Sequence, residues 1–572
     1  MNKQYVGFSA MILLIIVAVC FRNLFGWATE QGIIIRLTGT VAMTISVIPL
    51  ILSLWKRTAF TKSECCLVLA AGIISLFYIL SPYRPPEILY GVGILLGIYT
   101  FLNYYFEGKD QRLLFLLFSL CGTFESVYGL WQYNASIFHV VRGHFDNQAG
   151  FAAMMVMVAP FAYYFFRYKR ILWKLYGIAS VTFISTAVFL SGSRTGLVAM
   201  VAMTGIYLFD DIKKVFVSMP MYQRTIASIV IVAGIIVGSG VLYHQKKGSA
   251  DGRLLIWHCS LDMISDKPLF GHGLGAFAAE YMNYQANFFD KNPDSHFALL
   301  ADNVKQPFNE YLKGLIQFGI VGMAAIAVLA VLMLRSTLKR ITYEKRIAFT
   351  SLCGIAIFGL FSYPSYYAIT ILFISFNLFI LSADQPRTIR IPKFVVLLIG
   401  VGYILLVCSG IVSTISTIRH EIVWNKLKTE KYSTDSDLLA QYRNLYLKYS
   451  DPLFLYNYGA VLNNRSAYNQ SRHILSECEK LLNDCDLQII QADNYFQFGD
   501  YINSERCALW ALGMCPNRFV PLYQLMEIYD KQGQTEKARN MAETIINKKI
   551  KVRSSTVLLV RQRAQNWLDS HK

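Results

Sequence analysis

The stretch YLKGLIQFGIVGMAAIAVLAVLML at residues 311–334 decides the fold, because it is long and apolar enough to cross a bilayer. A transmembrane helix needs roughly 20 mostly apolar residues. About twelve or thirteen such segments lie before residue 418, and the pair flanking Pro364 forms either two spans or one broken helix. The sequence therefore predicts an all-α protein, a polytopic membrane helix bundle, with spans near 5–21, 37–55, 65–81, 88–106, 113–133, 149–166, 171–190, 196–209, 225–243, 311–334, 347–363, 366–382 and 394–418.

The composition excludes an ordinary cytosolic enzyme, since 55% of the 572 residues are hydrophobic and only 16% are charged. The net charge of +18 has to be located before it is interpreted. The last 149 residues hold 20 Lys and Arg against 16 Asp and Glu, so they contribute +4 and the membrane half carries +14. Basic residues of membrane proteins concentrate in cytoplasmic loops. The surplus is thus a topology signal, and no nucleic-acid partner is expected.

The short loops predict the orientation of the chain. Lys and Arg cluster after the even-numbered spans, at residues 56–62, 167–174, 213–224, 335–346 and 387–393. The positive-inside rule then assigns the N-terminus and the even loops to the cytoplasm. The long loop 244–309 and the tail after the last span are expected on the outer face. We therefore predict a membrane domain at residues 1–423, with its outer loop at 244–309, and a soluble domain at 424–572.

The tail carries a candidate repeat. Arg465, Gly499 and Gly533 recur every 34 residues, each between an aromatic-rich stretch and a more polar one. A 34-residue helix-turn-helix period resembles tetratricopeptide repeats, which stack into an α-solenoid. Such a tail either caps the fold or holds a protein partner.

Two arginines suggest chemistry at the membrane surface. Arg194 lies in LSGSRTGLVAM (190–200), and Arg253 opens the outer loop within DGRLLIWH (251–258). A guanidinium presents a planar fork of donors that matches phosphate oxygens. An arginine that only snorkels to the interface is the alternative for Arg194.

Four segments in order carry a resemblance to a known family. They are SRTG (193–196), Gly252 and Arg253 with Trp257 four positions after the arginine, PLFGHGLGAF (268–277) and FNEYLKGLIQFGIVG (308–322). This order resembles the O-antigen ligase and O-antigen polymerase family. The segment RGHFDNQAGFAAMM (142–155) is similar to that family's Gly-x-Phe-x-Asn segment.

The resemblance implies a metal-independent membrane glycosyltransferase without a cofactor. Its members take a glycan from a polyprenyl-diphosphate carrier, undecaprenyl diphosphate in bacteria, at the periplasmic face of the inner membrane. They transfer it to an acceptor hydroxyl on lipid A core, on a protein or on a growing polysaccharide. The implied partners are this donor, a glycolipid or protein acceptor, membrane lipid and a protein on the repeat tail. A polymerase of the same family and a polytopic transporter or flippase are the alternatives.

The resemblance assigns Arg194 and Arg253 to stabilising the diphosphate leaving group, but one position departs from the family. Family members usually have a histidine at this position, which is the favoured candidate for the general base, whereas this chain has Phe308. A phenyl ring cannot accept a proton, so the remaining candidates for the base and for substrate binding come from neighbouring segments. Candidate bases are Glu310, Asp302 and His296, and candidate substrate-binding residues are Asn147, His272, Asn303 and Asn309, with His272 expected to face solvent. No histidine spacing fits a metal site, and Asn147 has the alternative role of a helix N-cap.

Overall fold

The computed structural model describes residues 31–56, 59–107, 111–135, 139–245, 247–337, 341–383, 385–429 and 435–571. These ranges are almost entirely helical, as predicted. In chain order the helices of the first three quarters are α1 Gln31–Lys56, α2 Lys62–Leu80, α3 Glu87–Phe106, α4 Arg112–Ala135, α5 Gln148–Tyr163, α6 Ile171–Leu190, α7 Arg194–Tyr207, α8 Phe209–Ser218, α9 Met221–Gln245, α10 Lys247–Asp266, α11 Ala276–Lys291, α12 Glu310–Thr337, α13 Tyr343–Gly359, α14 Ala368–Ser382 and α15 Lys393–Thr429.

Short elements connect these helices. The strands β1 Ala59–Phe60 and β2 Ile389–Arg390 pair antiparallel, which joins the segment after α1 to the segment before α15. Three single-turn 3₁₀ helices lie at Tyr164–Arg167, His296–Leu299 and Pro364–Tyr366.

Eight helices in the described ranges are long and apolar enough to span a membrane, or nine if α7 and α8 form one span bent by 65°. Eight or nine of the twelve or thirteen predicted spans are therefore found as helices of spanning length within the described ranges. The first predicted span, 5–21, lies outside the described residues. Several side chains of α9, which corresponds to the predicted span 225–243, are also outside them. The segments 347–363 and 366–382 fold as α13 and α14, of 17 and 15 residues, separated by the turn that contains Pro364. A span needs about 17–25 residues, so α13 is at the lower limit of this range and α14 is below it.

The core of the membrane bundle is built around α5 and α14. Nearly every residue of α5 and of α14 is buried. Rings from α4, α5 and α14 interlock there, with Phe118 and Phe376 at 4.4 Å between centroids and Phe118 and Phe373 at 4.8 Å. Neighbouring helices therefore enclose α14, which is mostly apolar.

The helix α12 is broken near its start, at Gly319, where φ is +63°. The glycine-rich segment 268–277 docks into this break. The backbone N–H groups of His272 and Ile320 donate to the carbonyls of Ile316 and Pro268 at 2.7 and 2.8 Å. Positive φ values at the glycines of that segment make the tight turn possible. The break thus fixes the outer-loop helices α10 and α11 to the membrane bundle.

The tail folds into successive helical hairpins that continue from α15. The composition boundary at residue 424 falls inside α15, whose last turn packs Trp424 and Leu427 into the core of the tail. Left-handed residues at Ser466, Gly499 and Gly533 turn the chain between helices, close to the positions of the predicted period. That these hairpins are tetratricopeptide repeats stays a prediction. The tail helices are α16 Asp435–Tyr446, α17 Pro452–Asn464, α18 Tyr468–Glu479, α19 Cys485–Gln497, α20 Tyr501–Met514, α21 Val520–Lys531, α22 Thr535–Asn547 and α23 Ser555–Ser570.

The tail packs directly on the long loop between α9 and α12. The Gln285 side-chain amide of α11 donates to the Met514 carbonyl at 2.6 Å, and the Asn483 amide donates to the Asn283 side chain at 2.9 Å. The tail and the loop therefore lie on the same side of the membrane bundle.

Candidate functional site

Arg194 is the first residue of α7, at the end of the bundle. The Ser193 hydroxyl caps this helix by accepting a hydrogen bond from the Gly196 N–H at 3.1 Å. Gly196 allows a close approach of α7 to α5, because an added Cβ there would meet Ala152 at 2.9 Å. Arg194 is thereby held beside the first turn of α5, at a helix N-terminus whose dipole favours anions.

Arg253 lies on α10, near enough to Arg194 for the two charges to interact. Burial first, and then the charge of Arg194, lower the pKa of the Arg253 guanidinium, while Tyr363 raises it. An arginine stays protonated despite such a shift, so two positive charges are kept close together. Among the residues that the structure describes, Arg253 forms no ion pair. This pair of guanidinium groups is suited to bind a polyanion.

Phe308, the residue that departs from the family pattern, supports Arg253. The Arg253 guanidinium lies over the Phe308 ring at 5.4 Å from its centroid, and the Tyr363 ring contacts Phe308 edge-on at 5.2 Å. Phe308 has a φ of +54°, which is a strained conformation for a bulky side chain. The Trp257 indole donates to the Pro307 carbonyl at 3.0 Å and so holds this strained segment against α10.

Polar groups ahead of α5 join the same cluster. The Asn147 amide donates to the Tyr367 hydroxyl at 2.9 Å, and that hydroxyl donates to Asp146 at 3.2 Å. Burial first, and then the charge of Asp146, raise the pKa of Tyr363, which shows that Tyr363 lies near this carboxylate as well as near Arg253. The Asn147 side chain also caps α5 by accepting from the Gly150 N–H at 2.9 Å. Asn147 therefore caps α5 and also contacts the cluster through the Tyr367 hydroxyl.

A cavity of about 280 Å³ opens beside Arg253. Gly252 leaves room at its wall, because an added Cβ would meet nothing within 4 Å. The volume approaches the lower limit of small-molecule pockets, about 300 Å³. Its polar lining includes Ser249, Arg253, Gln285, Asp302 and Asn303.

Asp302 and Asn303 line this cavity, but their side chains are engaged by the tail. Asp302 accepts from the Arg518 guanidinium at 3.0 Å, and the Asn303 amide donates to Asp486 at 2.7 Å. Asn303 Oδ1 also accepts from the Cys485 N–H at 3.0 Å. The observed contacts of both residues connect the outer loop to the tail.

Glu310 and Asn309 shape the start of α12. The Asn309 side chain accepts from the N–H groups of Tyr311 and Leu312 at 2.9 and 3.0 Å, as a helix N-cap does. The Glu310 carboxylate accepts from the Ser365 N–H at 2.8 Å, which ties α12 to the turn that carries Tyr363. Both residues lie next to Phe308, and their contacts hold backbone groups.

Two predicted histidines are placed elsewhere. His272 was expected to face solvent, and this is wrong, since only 4% of the residue is exposed. Its ring bridges the Met263 carbonyl at 2.8 Å and the Glu280 carboxylate at 2.5 Å, and Tyr83 also donates to Glu280. His296 is exposed and its ring lies against Phe297. His272 is thus enclosed by a network of outer-loop and bundle residues.

Tyr363 and Tyr367 belong to the cluster although sequence reasoning did not identify them. They lie in the turn FSYPSYYAI (361–369) between α13 and α14. The sequence signal that could have identified them is the presence of three tyrosines around a proline, between two apolar segments. Aromatic rings beside bound anions and sugars are a common arrangement in ligand sites.

The fold and the site define a class: a polytopic membrane protein with a pair of arginines at one end of its helix bundle. Residues 178–327 match the sequence profile of a family described as O-antigen ligase. The match includes Arg194, Arg253 and the segment around Phe308, and it confirms the resemblance drawn from the four motifs. It supports a glycosyl-transfer function of a membrane protein in polysaccharide assembly. A comparison with the curated proteins finds no match.

Proposed function

We propose that the chain transfers a glycan from a polyprenyl-diphosphate carrier to an acceptor hydroxyl, without a metal ion or cofactor. The observation that carries this proposal is the pair formed by Arg194 and Arg253, held at one end of the bundle by α7 and α10. A lipid-linked diphosphate presents its negative charge at the membrane surface, which is where such a pair can meet it.

The chemistry is a displacement at the anomeric carbon. The acceptor oxygen forms a bond to this carbon while the bond to the phosphate oxygen breaks, and the electron pair leaves with the diphosphate. The acceptor proton passes to a base. Charge on the departing oxygen grows in the transition state, so Arg194 and Arg253 stabilise the transition state more than the ground state. The cavity beside Arg253 is large enough for one sugar unit of the acceptor or the donor.

We further propose that this site faces the periplasm and that the protein resides in the inner membrane of a bacterium. The basic clusters after the even-numbered predicted spans support this orientation. The tail, which packs on the loop 244–309, then shares the periplasmic side. Its helical hairpins are proposed to be tetratricopeptide-like and to hold the acceptor or an assembly partner.

The test compares strains that carry a deletion of the gene and are complemented with wild type, Arg253→Gln, Arg194→Gln or the control Arg335→Gln. Arg335 is an exposed arginine in the last turn of α12, the opposite end from Glu310. Carrier-linked glycan, lipopolysaccharide ladders, polysaccharide chain length and glycoprotein mobility are measured together. The amount of each variant in the membrane is also compared.

We expect both site variants to insert normally, to accumulate carrier-linked glycan and to lose one glycan product, while Arg335→Gln behaves as wild type. The lost product identifies the acceptor: lipid A core for a ligase, long chains for a polymerase, or a glycoprotein. Wild-type carrier pools and products in the deletion strain would refute glycan transfer and favour transport instead.

A further inference from the structure

A second pair of ionisable groups includes His144, on the turn that also carries Asp146 and Asn147. The His144 Nδ1 is 2.7 Å from Glu125 Oε2, and the His144 backbone N–H donates to Glu125 Oε1 at 2.7 Å. Both oxygens of the Glu125 carboxylate therefore bind His144. Glu125 is only 1% exposed and belongs to α4, a candidate membrane span. An ionisable residue buried in a span is costly and by default indicates function.

Neighbouring residues are shaped around this pair. The Tyr128 ring stacks on the imidazole at 4.3 Å with an interplanar angle of 17°, which fixes the ring orientation. Gly143 has a φ of +56°, and a Cβ there would overlap a Glu125 carboxylate oxygen. The Gln132 amide donates to the Gly143 carbonyl at 2.8 Å and holds the same turn. The turn is thus built to bring His144 onto Glu125.

The tautomer of His144 follows from its partner. A carboxylate accepts hydrogen bonds, so Nδ1 carries the proton and Nε2 is the basic nitrogen of the neutral ring. The hydrogen bond to Glu125 raises the pKa of His144, although burial opposes this shift. An imidazole oriented by a carboxylate is the arrangement of a general base.

The position of His144 connects it to the arginine site. His144 lies two residues before Asp146, which places their Cα atoms within about 7 Å of each other. Asp146 accepts from Tyr367 and lies near Tyr363, and Tyr363 contacts Phe308 beside Arg253. The turn before α5 therefore carries both His144 and the residues Asp146 and Phe145, which contact Tyr367 of the cluster.

We propose that His144 is the general base of the transfer reaction and that Glu125 is its positioning residue. This inference rests on the proposed function. His144 Nε2 takes the proton of the acceptor hydroxyl as the oxygen attacks the anomeric carbon, and the diphosphate leaves toward Arg194 and Arg253. The proton then passes from His144 to solvent. His144 thus performs a role that Phe308 cannot.

Ionisable groups near His144 lie on α4, on its own turn and just before α14. Glu125 and Tyr128 face it from α4, Arg142 and Asp146 lie on its own turn, and Tyr367 contacts the neighbouring Phe145. Glu125 is the group bonded to the ring. Removing the carboxylate charge is therefore expected to lower the pKa of His144.

The experiment uses isolated membranes of the deletion strain complemented with full-length variants. Consumption of the accumulated carrier-linked glycan is followed from about pH 5 to about pH 9, the range in which an imidazole titrates. The variants are His144→Gln and Glu125→Gln, with His139→Gln as the matched control and His296→Gln as the test of the alternative base on the loop 244–309. His139 is an exposed histidine on the same connection, and His296 is an exposed histidine of the outer loop.

We expect His144→Gln to lower the rate by roughly 100-fold or more, as loss of a general base does, while the control His139→Gln remains near wild type. The base is active when neutral, so the wild-type rate should fall as the pH drops through the raised pKa of His144. Glu125→Gln should retain partial activity, with this acidic limb moved to lower pH. A merely structural role of Glu125 would lower the rate at every pH without moving the limb.

Failure of this inference is distinguishable from failure of the proposed function. If Arg253→Gln abolishes transfer while folded His144→Gln has the wild-type rate and pH profile, His144 is not the base and glycan transfer stands. If His296→Gln produces the loss instead, the base is on the outer loop. Wild-type rates in both His144→Gln and Arg253→Gln would overturn both proposals. Thermal unfolding in detergent identifies any variant that fails to fold, and the conservative glutamines keep hydrogen-bonding groups at both positions.

Discussion

Replacing Phe308 tests whether its ring holds Arg253 in position. In Phe308→Leu the side chain stays apolar and bulky, but it loses the cation–π contact with Arg253 at 5.4 Å and the edge contact with Tyr363 at 5.2 Å. A cation–π contact at a partly exposed site contributes about 0.5–1 kcal/mol, and an aromatic pair contributes about 0.5–1.5 kcal/mol. If the full loss of about 1–2.5 kcal/mol appears in the transition state, the rate falls about 5- to 70-fold.

Phe308→Tyr is the matched control, because it keeps the ring face under the guanidinium. We expect it to remain within about threefold of wild type, since a tyrosine ring also binds a cation. The assay is the initial rate of carrier-linked glycan consumption in isolated membranes, compared at equal amounts of folded protein. If Phe308→Leu and Phe308→Tyr are both as active as wild type, the ring does not position Arg253, and the reasoning is refuted.

Two further substitutions test the framework of the site. Gly319→Ala should lower the thermal unfolding temperature in detergent by several degrees, because the added Cβ would overlap the Leu269 carbonyl at a positive φ. The control Gly205→Ala should be neutral or stabilising, because a Cβ there meets nothing within 4 Å. Equal unfolding temperatures of the two variants would contradict this account. Asn517→Ala removes a donor to the Ala301 carbonyl at 2.6 Å and should speed hydrogen exchange in residues 299–304. Unchanged exchange there would show that the tail does not hold this wall of the cavity.

Helix positions in the membrane half were predictable because a long apolar segment satisfies its backbone only by folding as a helix. The segment 311–334 folds as Glu310–Thr337, and the segment 394–418 lies within Lys393–Thr429. Whether a short apolar helix such as α14 spans the membrane was less predictable. Apolar content marks burial in lipid and burial in protein alike, and α14 is apolar because other helices surround it.

The site was predictable only where residue type alone carries the chemistry. Arg194 and Arg253 were selected as candidates because a guanidinium group in an otherwise apolar membrane protein has few roles other than binding an anion. The partners of Asp302 were not, since Arg518 lies 216 positions further along the chain and no local pattern connects the two. The burial of His272 likewise depends on Glu280 from the next helix and on Tyr83 from a distant turn. Such nonlocal contacts also explain why the pair of Glu125 and His144 was missed.

If His144 is the base, as proposed above, the presence of Phe308 in place of the family's histidine has a physical explanation. Two neighbouring guanidinium groups repel each other, and a bound diphosphate replaces this repulsion by attraction that grows as the leaving group gains charge. A histidine at position 308 would lie against Arg253, and its protonation would add a third positive charge there. The phenyl ring of Phe308 is neutral at every pH and presents the negative face of its quadrupole to the guanidinium. In the proposed site the charge of the arginine pair therefore stays independent of pH. The proton acceptor, in the proposal made above, is His144, whose protonation is governed by Glu125 instead of by the arginines.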